Sequence, residues 1–153
     1  MAQIRWTIAV LLVSTGVVAQ DGASARPEAI VDTPEFMTFL MKPAYVELQH
    51  AVEQAPSDRA AWSALYVDAV RLAETANLLF IRRHAGADTP AWAERSAAAR
   101  QAAANVAAAV ERGLRNARPE DFSGVKDTFG RVSAACNACH GQFGGTNAPT
   151  IRK

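Results

Sequence analysis

Cys136, Asn137, Ala138, Cys139 and His140 form the stretch of this sequence whose residue types and spacing announce a chemistry. On a helix, Cys136, Cys139 and His140 fall at i, i+3 and i+4, so both thiols and the imidazole share one face. Two thiols at that spacing reach the two vinyl groups of a haem, and the neighbouring imidazole reaches the iron from the same side. The C-x-x-C-H string therefore predicts one covalently attached haem c, held by Cys136 and Cys139, with His140 as proximal iron ligand.

Other uses of the pair fit less well. A zinc site needs about four ligands, yet the remaining imidazoles, His50 and His84, lie far off in sequence and no second C-x-x-C exists. A thioredoxin-type pair belongs at a helix N-terminus, where the dipole lowers a thiol pKa, whereas this one sits near the C-terminal end. A local disulfide between i and i+3 is awkward on a helix and leaves His140 without a role. His50 or His84 as a second axial ligand would make the iron bis-histidine, but a lone helical histidine is ordinarily an exposed or satisfied side chain.

The elements that must carry this motif all read as helix. Thr33-Pro34-Glu35 is a cap followed by proline and an acid, opening a first stripe of Met37, Leu40, Met41, Ala44, Leu48, Ala51 and Val52. Pro43 falls inside it and should kink the helix. Pro56-Ser57-Asp58 caps the second stripe, Trp62, Leu65, Ala69, Leu72, Ala76, Leu79 and Phe80. Thr89-Pro90 opens the third, Trp92, Ala99, Ala102, Val106, Val110 and Leu114, which Arg118-Pro119 closes. The fourth runs through Phe122, Val125, Phe129, Val132, Cys136, Cys139 and Phe143 and stops at Gly144-Gly145. No alternating β-branched run competes. Four helices with short connections predict an all-α antiparallel four-helix bundle. The alanines between Ala97 and Ala109 favour helix, and their small side chains also leave room for a bulky group between helices.

The first residues add a second, independent pointer. Arg5, the apolar run Ile8 to Val13 and the small residues through Ala19 follow the order of a secretory signal peptide, too short to span a bilayer. Cleavage is expected after Ala19 or Ala25. Residues 1–25 are thus read as signal peptide and lead-in, 33–145 as the helical domain and 146–153 as a C-terminal tail. The 16 basic and 15 acidic side chains become equal in number once Arg5 is removed with a leader cut after Ala19. A nearly neutral chain without a basic stripe or a polybasic patch is a poor partner for nucleic acid or for an anionic membrane surface.

A single C-x-x-C-H close to the C-terminus, preceded by three helical stretches and followed by Phe143, resembles the cytochrome c′ family over about residues 33 to 144. The resemblance implies that the distal side of the haem faces the first helix, and that low-spin members supply a methionine sulfur from it. Met37-Thr38-Phe39-Leu40-Met41-Lys42-Pro43 is similar to the low-spin pattern, in which Lys-Pro follows the ligand by five and six residues. That match falls on Met37, with Met41 one turn further as the alternative and core packing of both as the third outcome. Two positions depart from the family: Gly144 stands where many members carry a basic residue, and Ile30 where an arginine often precedes the distal ligand.

These features imply a non-enzymatic electron-transfer protein of the periplasm, its His/Met-ligated haem exchanging one electron with redox partner proteins. The alternative is a five-coordinate haem that binds a small gas such as nitric oxide. Family members often pair through exposed helix faces, so a homodimer is an open outcome.

Overall fold

A computed structural model describes residues 27–82, 89–116, 119–146 and 148–152, and the expected signal peptide and His84 lie outside them. The described residues form a four-helix bundle without strands, the all-α architecture expected. The first helix runs through three consecutive segments, Thr33–Phe36, Met37–Met41 and Lys42–Ala51. The second is Arg59–Asn77, tightening into a 3-10 turn over Leu78–Ile81. The third is Thr89–Asn116 and the fourth Pro119–Phe143.

Local chemistry sets most of these ends. The first helix begins one residue earlier than a Thr33 cap implies. Asp32 is the cap, its Oδ1 accepting from the Glu35 N–H at 2.8 Å, and a carboxylate there also suits the positive end of the helix dipole. Asp58 caps the second helix in the same way, accepting from the Ala61 N–H at 2.8 Å. The proline at position 43 has a different effect from a simple kink. Its missing N–H and its ring, which crowds the carbonyl four residues back, are accommodated by a π-helical stretch over Met37–Met41, where the Lys42 N–H donates to the Met37 carbonyl.

The wider turn changes which side chains face inward. Phe36 and Met41, five residues apart, lie on the inner side, while Leu40 turns out and is 47 % exposed. Leu40 is therefore not a core residue. Phe80 is likewise displaced, 42 % exposed, because the 3-10 turn changes the helical phase at the end of the second helix. Its ring lies under the Arg100 guanidinium instead. On the third helix the buried line passes through Ser96, Ala103 and Ala109 besides Trp92, Ala99, Val106 and Val110, leaving Ala102 and Leu114 only partly buried.

Successive helices run antiparallel: Val52, Trp62, Gly113 and Phe122 gather at one end, and Phe36, Leu79, Trp92 and Phe143 at the other. The second and third helices pack closely, as do the third and fourth. Gly113 shows how closely, since a Cβ there would lie 2.1 Å from the Trp62 ring. Among the described residues the first and fourth helices are the adjacent pair whose backbones stand furthest apart. Large side chains bridge that seam. Tyr45 stacks on Phe129 at 5.2 Å between centroids and its hydroxyl meets the Ser133 hydroxyl at 2.8 Å.

The core has two parts. The larger contains Leu48, Leu65, Leu72, Val106, Val110, Val125 and Val132, each worth about 1.5–3 kcal/mol of burial. The smaller consists of Phe36, Leu79, Trp92, Ala99 and Cys139, with Val31, Met37, Met41 and Phe143 against it.

Candidate cofactor site

The last turns of the fourth helix carry Cys136, Cys139 and His140 to the end of the bundle where the smaller cluster lies. Cys139 is buried within that cluster, while Cys136 is partly buried against the larger one. Both are free thiols. Burial pushes the Cys136 thiol up to about 11, and the neighbouring Cys139 adds to the shift. Burial raises Cys139 too, with Arg95 pulling partly against it. Both therefore stand as protonated thiols at neutral pH, which is the reverse of what a nucleophilic redox pair needs.

His140 is anchored by a carbonyl. Its Nδ1 lies 2.9 Å from the Pro149 oxygen, and because a carbonyl only accepts, Nδ1 must carry the proton. In the neutral ring the other nitrogen, Nε2, holds the lone pair. This is the tautomer and second-shell arrangement that metal-binding histidines adopt.

Across the seam, Met37 packs on the smaller cluster, and Met41 touches both clusters. Both are partly buried. Trp92 walls the site from the third helix, its ring edge-on to Phe143 at 5.3 Å and its Nε1–H donating to the Leu79 carbonyl at 3.1 Å. His50 is exposed in the last turn of the first helix, towards the opposite end of the bundle. Among the described residues no group of three or more His, Cys, Asp or Glu gathers to hold a bare metal ion.

Arg82, at the end of the second helix, was not legible as a site residue in the sequence. Only 6 % of it is exposed. Its guanidinium lies over the Phe36 ring, 3.8 Å from the centroid, and one arm donates to the Leu78 carbonyl at 2.7 Å. Its Nε–H is buried without a partner, and burial lowers its pKa. No carboxylate pairs with it among the described residues. A buried cation with a spare donor is costly unless an anion meets it. Thr33 Oγ1 and Ser96 Oγ are also buried without partners, and Ser96 lies between Trp92 and Ala99 on the same helical face. A planar apolar group bearing carboxylates, as haem is, fits this combination: thiols, a prepared imidazole, an apolar wall, a wide seam and an unpaired buried cation.

A bundle whose last helix ends in this thiol and imidazole set belongs to the class of helical c-type haem proteins. The cytochrome c′ family model matches residues 28–144, and the chain belongs to that family. Its members carry covalently bound haem c, are typically exported and are generally not enzymes. No curated protein matches the chain, and no solved structure does. The two departures from the family pattern have visible settings here: Ile30 is almost wholly exposed ahead of the first helix, and Gly144 lies where the chain turns back over the fourth helix.

Proposed function

We propose that this chain is an exported one-electron carrier holding one haem c in the seam between the first and fourth helices. Cys136 and Cys139 would hold the group through thioether bonds. His140 Nε2 would bind the iron on the proximal side and the Met37 sulfur on the distal side, with Met41 as the alternative. Arg82 would face a haem carboxylate. When bound, the group supplies a single reversible electron through its iron.

The protein's part is positional and electrostatic. The Pro149 carbonyl holds His140 Nδ1, Trp92, Phe36 and Phe143 would keep water from the bound group, and a methionine sulfur as the second protein ligand would favour the reduced state. The observation that carries this reading is His140 itself, with Nδ1 committed to a carbonyl and Nε2 left beside two free thiols.

The leader would be removed on export, after Ala19 or Ala25, leaving the bundle in the periplasm to meet redox partner proteins. No described helix is long and apolar enough to cross a membrane. An intact Met1 in a membrane fraction, found by mass spectrometry, would contradict cleavage.

The deciding experiment is an absorption spectrum of the purified exported protein, oxidised and reduced, with and without carbon monoxide. Haem that comigrates with the polypeptide and gives a low-spin spectrum indifferent to carbon monoxide supports the carrier. A high-spin spectrum that carbon monoxide shifts would replace it with the five-coordinate gas-binding reading. Colourless protein with two free thiols, made in a host with haem-attachment machinery, would overturn both.

A further inference from the structure

Beyond the helices the chain does not trail away. Residues 148–152 fold back along the fourth helix and are tied to it by side chains. The Asn137 amide forms a two-way bond with Ile151, its Nδ2–H donating to the Ile151 carbonyl at 2.9 Å and its Oδ1 accepting from the Ile151 N–H at 2.7 Å. One residue further, the Arg152 carbonyl accepts from the Tyr45 hydroxyl at 2.9 Å and from Gln49 Nε2–H at 3.3 Å, so the first helix holds the same segment. Ile151 packs on the larger core cluster. Between these ties and the helix end lies Pro149, whose carbonyl receives His140 Nδ1–H.

The turn that allows this depends on Gly144. A Cβ there would stand 2.3 Å from Ala148 Cβ and 2.7 Å from the His140 carbonyl oxygen. Gly145 follows with φ of +63°, the left-handed region. A side chain at position 144 would run into Ala148 Cβ of the returning segment and the His140 carbonyl, so a long basic residue has no room to start there.

We propose that residues 148–152 are a proximal strap, in which Asn137 acts as a positioning residue that sets the Pro149 carbonyl and, through it, the plane and tautomer of His140. On the reading of His140 as iron ligand, the tail and the Asn137 clamp together hold the ligand's ring through Nδ1. A five-residue segment would be too short to hold itself in place, since ordering each residue costs about 1–2 kcal/mol of backbone entropy. The ties to Asn137, Tyr45 and Gln49 and the burial of Ile151 offset that cost and leave the Pro149 oxygen fixed.

The test uses the haem-loaded protein and two variants, Asn137→Ala and a chain ending at Thr146. Proton NMR of the ferrous protein, under carbon monoxide if needed to make the iron diamagnetic, follows exchange of His140 Nδ1–H with water. Both variants should exchange it about tenfold faster or more, the change that follows losing roughly one hydrogen bond's worth of protection. In the ferric protein the haem-methyl shifts, which report the plane of the axial imidazole, should move in both. Leu65→Ala, on the second helix, which carries none of the hydrogen bonds that tie the strap, should lower overall stability yet leave both readouts in place. Unchanged exchange and methyl shifts in Asn137→Ala and in the shortened chain would overturn the strap while leaving the haem assignment standing. Wild-type protein without imidazole resonances shifted by the iron would overturn the haem assignment itself.

Discussion

Where Trp62 meets Gly113 and Phe122, the bundle closes with ring against backbone and ring against ring; around Cys139 it is lined instead by sulfur, aromatic edges and buried polar atoms without partners. Both ends are built from the same four helices. The difference teaches that helical periodicity secures a core but does not decide whether that core is self-sufficient. Among the described residues the Cys139 end holds a buried guanidinium that no carboxylate meets and buried hydroxyls without partners, and such groups are costly unless a further group satisfies them.

Core truncations that spare the site should show the largest stability effect. Leu72→Ala should cost about 2–5 kcal/mol in denaturant unfolding while leaving the haem spectrum unchanged. A spectral change of similar size would mean that the two clusters are not separable. Gly113→Ala should cost about 1–3 kcal/mol by overpacking against Trp62, again with the spectrum preserved.

At the other end the order reverses. Met37→Ala should convert the visible spectrum to a high-spin form that binds carbon monoxide while costing less stability than Leu72→Ala, and Met41→Ala should leave the iron low-spin. If only the Met41 change opens the iron, the distal ligand is Met41. On the proposed placement of Arg82 against a haem carboxylate, Arg82→Met should lower the reduction potential by removing a positive charge and should destabilise the haem-loaded protein by about 1–3 kcal/mol. A potential unmoved by the change would separate Arg82 from the haem carboxylates.

Tyr45 bridges the first and fourth helices and carries a pH signature. Burial raises its pKa, partly opposed by the Ser133 hydrogen bond and reinforced by Cys136. A group whose folded pKa lies above its unfolded value contributes stability that is complete below the unfolded pKa, here 10.0, and is lost as pH rises from there through the folded value. Wild type should therefore weaken on alkaline titration above that point, and Tyr45→Phe should lose that component of the slope. The smallest effect belongs to the surface. Arg71→Ala breaks the half-exposed pair with Glu47 and should change stability by about 0–1 kcal/mol.

What the sequence disclosed follows the range over which each signal acts. The Asp58 cap, the Thr89-Pro90 opening, the glycine stop and the C-x-x-C-H face are local, and they were readable from neighbours within a turn. Tyr45 was not, because its partners Ser133 and Arg152 stand 88 and 107 positions away. Arg82 reads as a solvated charge until the fold lays it over Phe36. Asn137 reads as a spacer between two cysteines until Ile151 returns to meet it. The exposed Leu40 and the inward Phe36 share one cause, a turn whose period departs from the one used to read the stripe.

That turn makes the first helix behave like a geared shaft. The i→i+5 stretch over Met37–Met41 holds one residue more than an α turn, so everything before it is rotated by about 100° relative to an unbroken helix. Phe36 is aimed by that extra residue, not by its own side chain. Deleting one residue among Thr38, Phe39 and Leu40 would remove the offset and swing Phe36, the aromatic platform of Arg82, away from the seam, with every residue from Lys42 to Ala51 still in place. Chain length within a single turn is thus the dial that aims the distal wall.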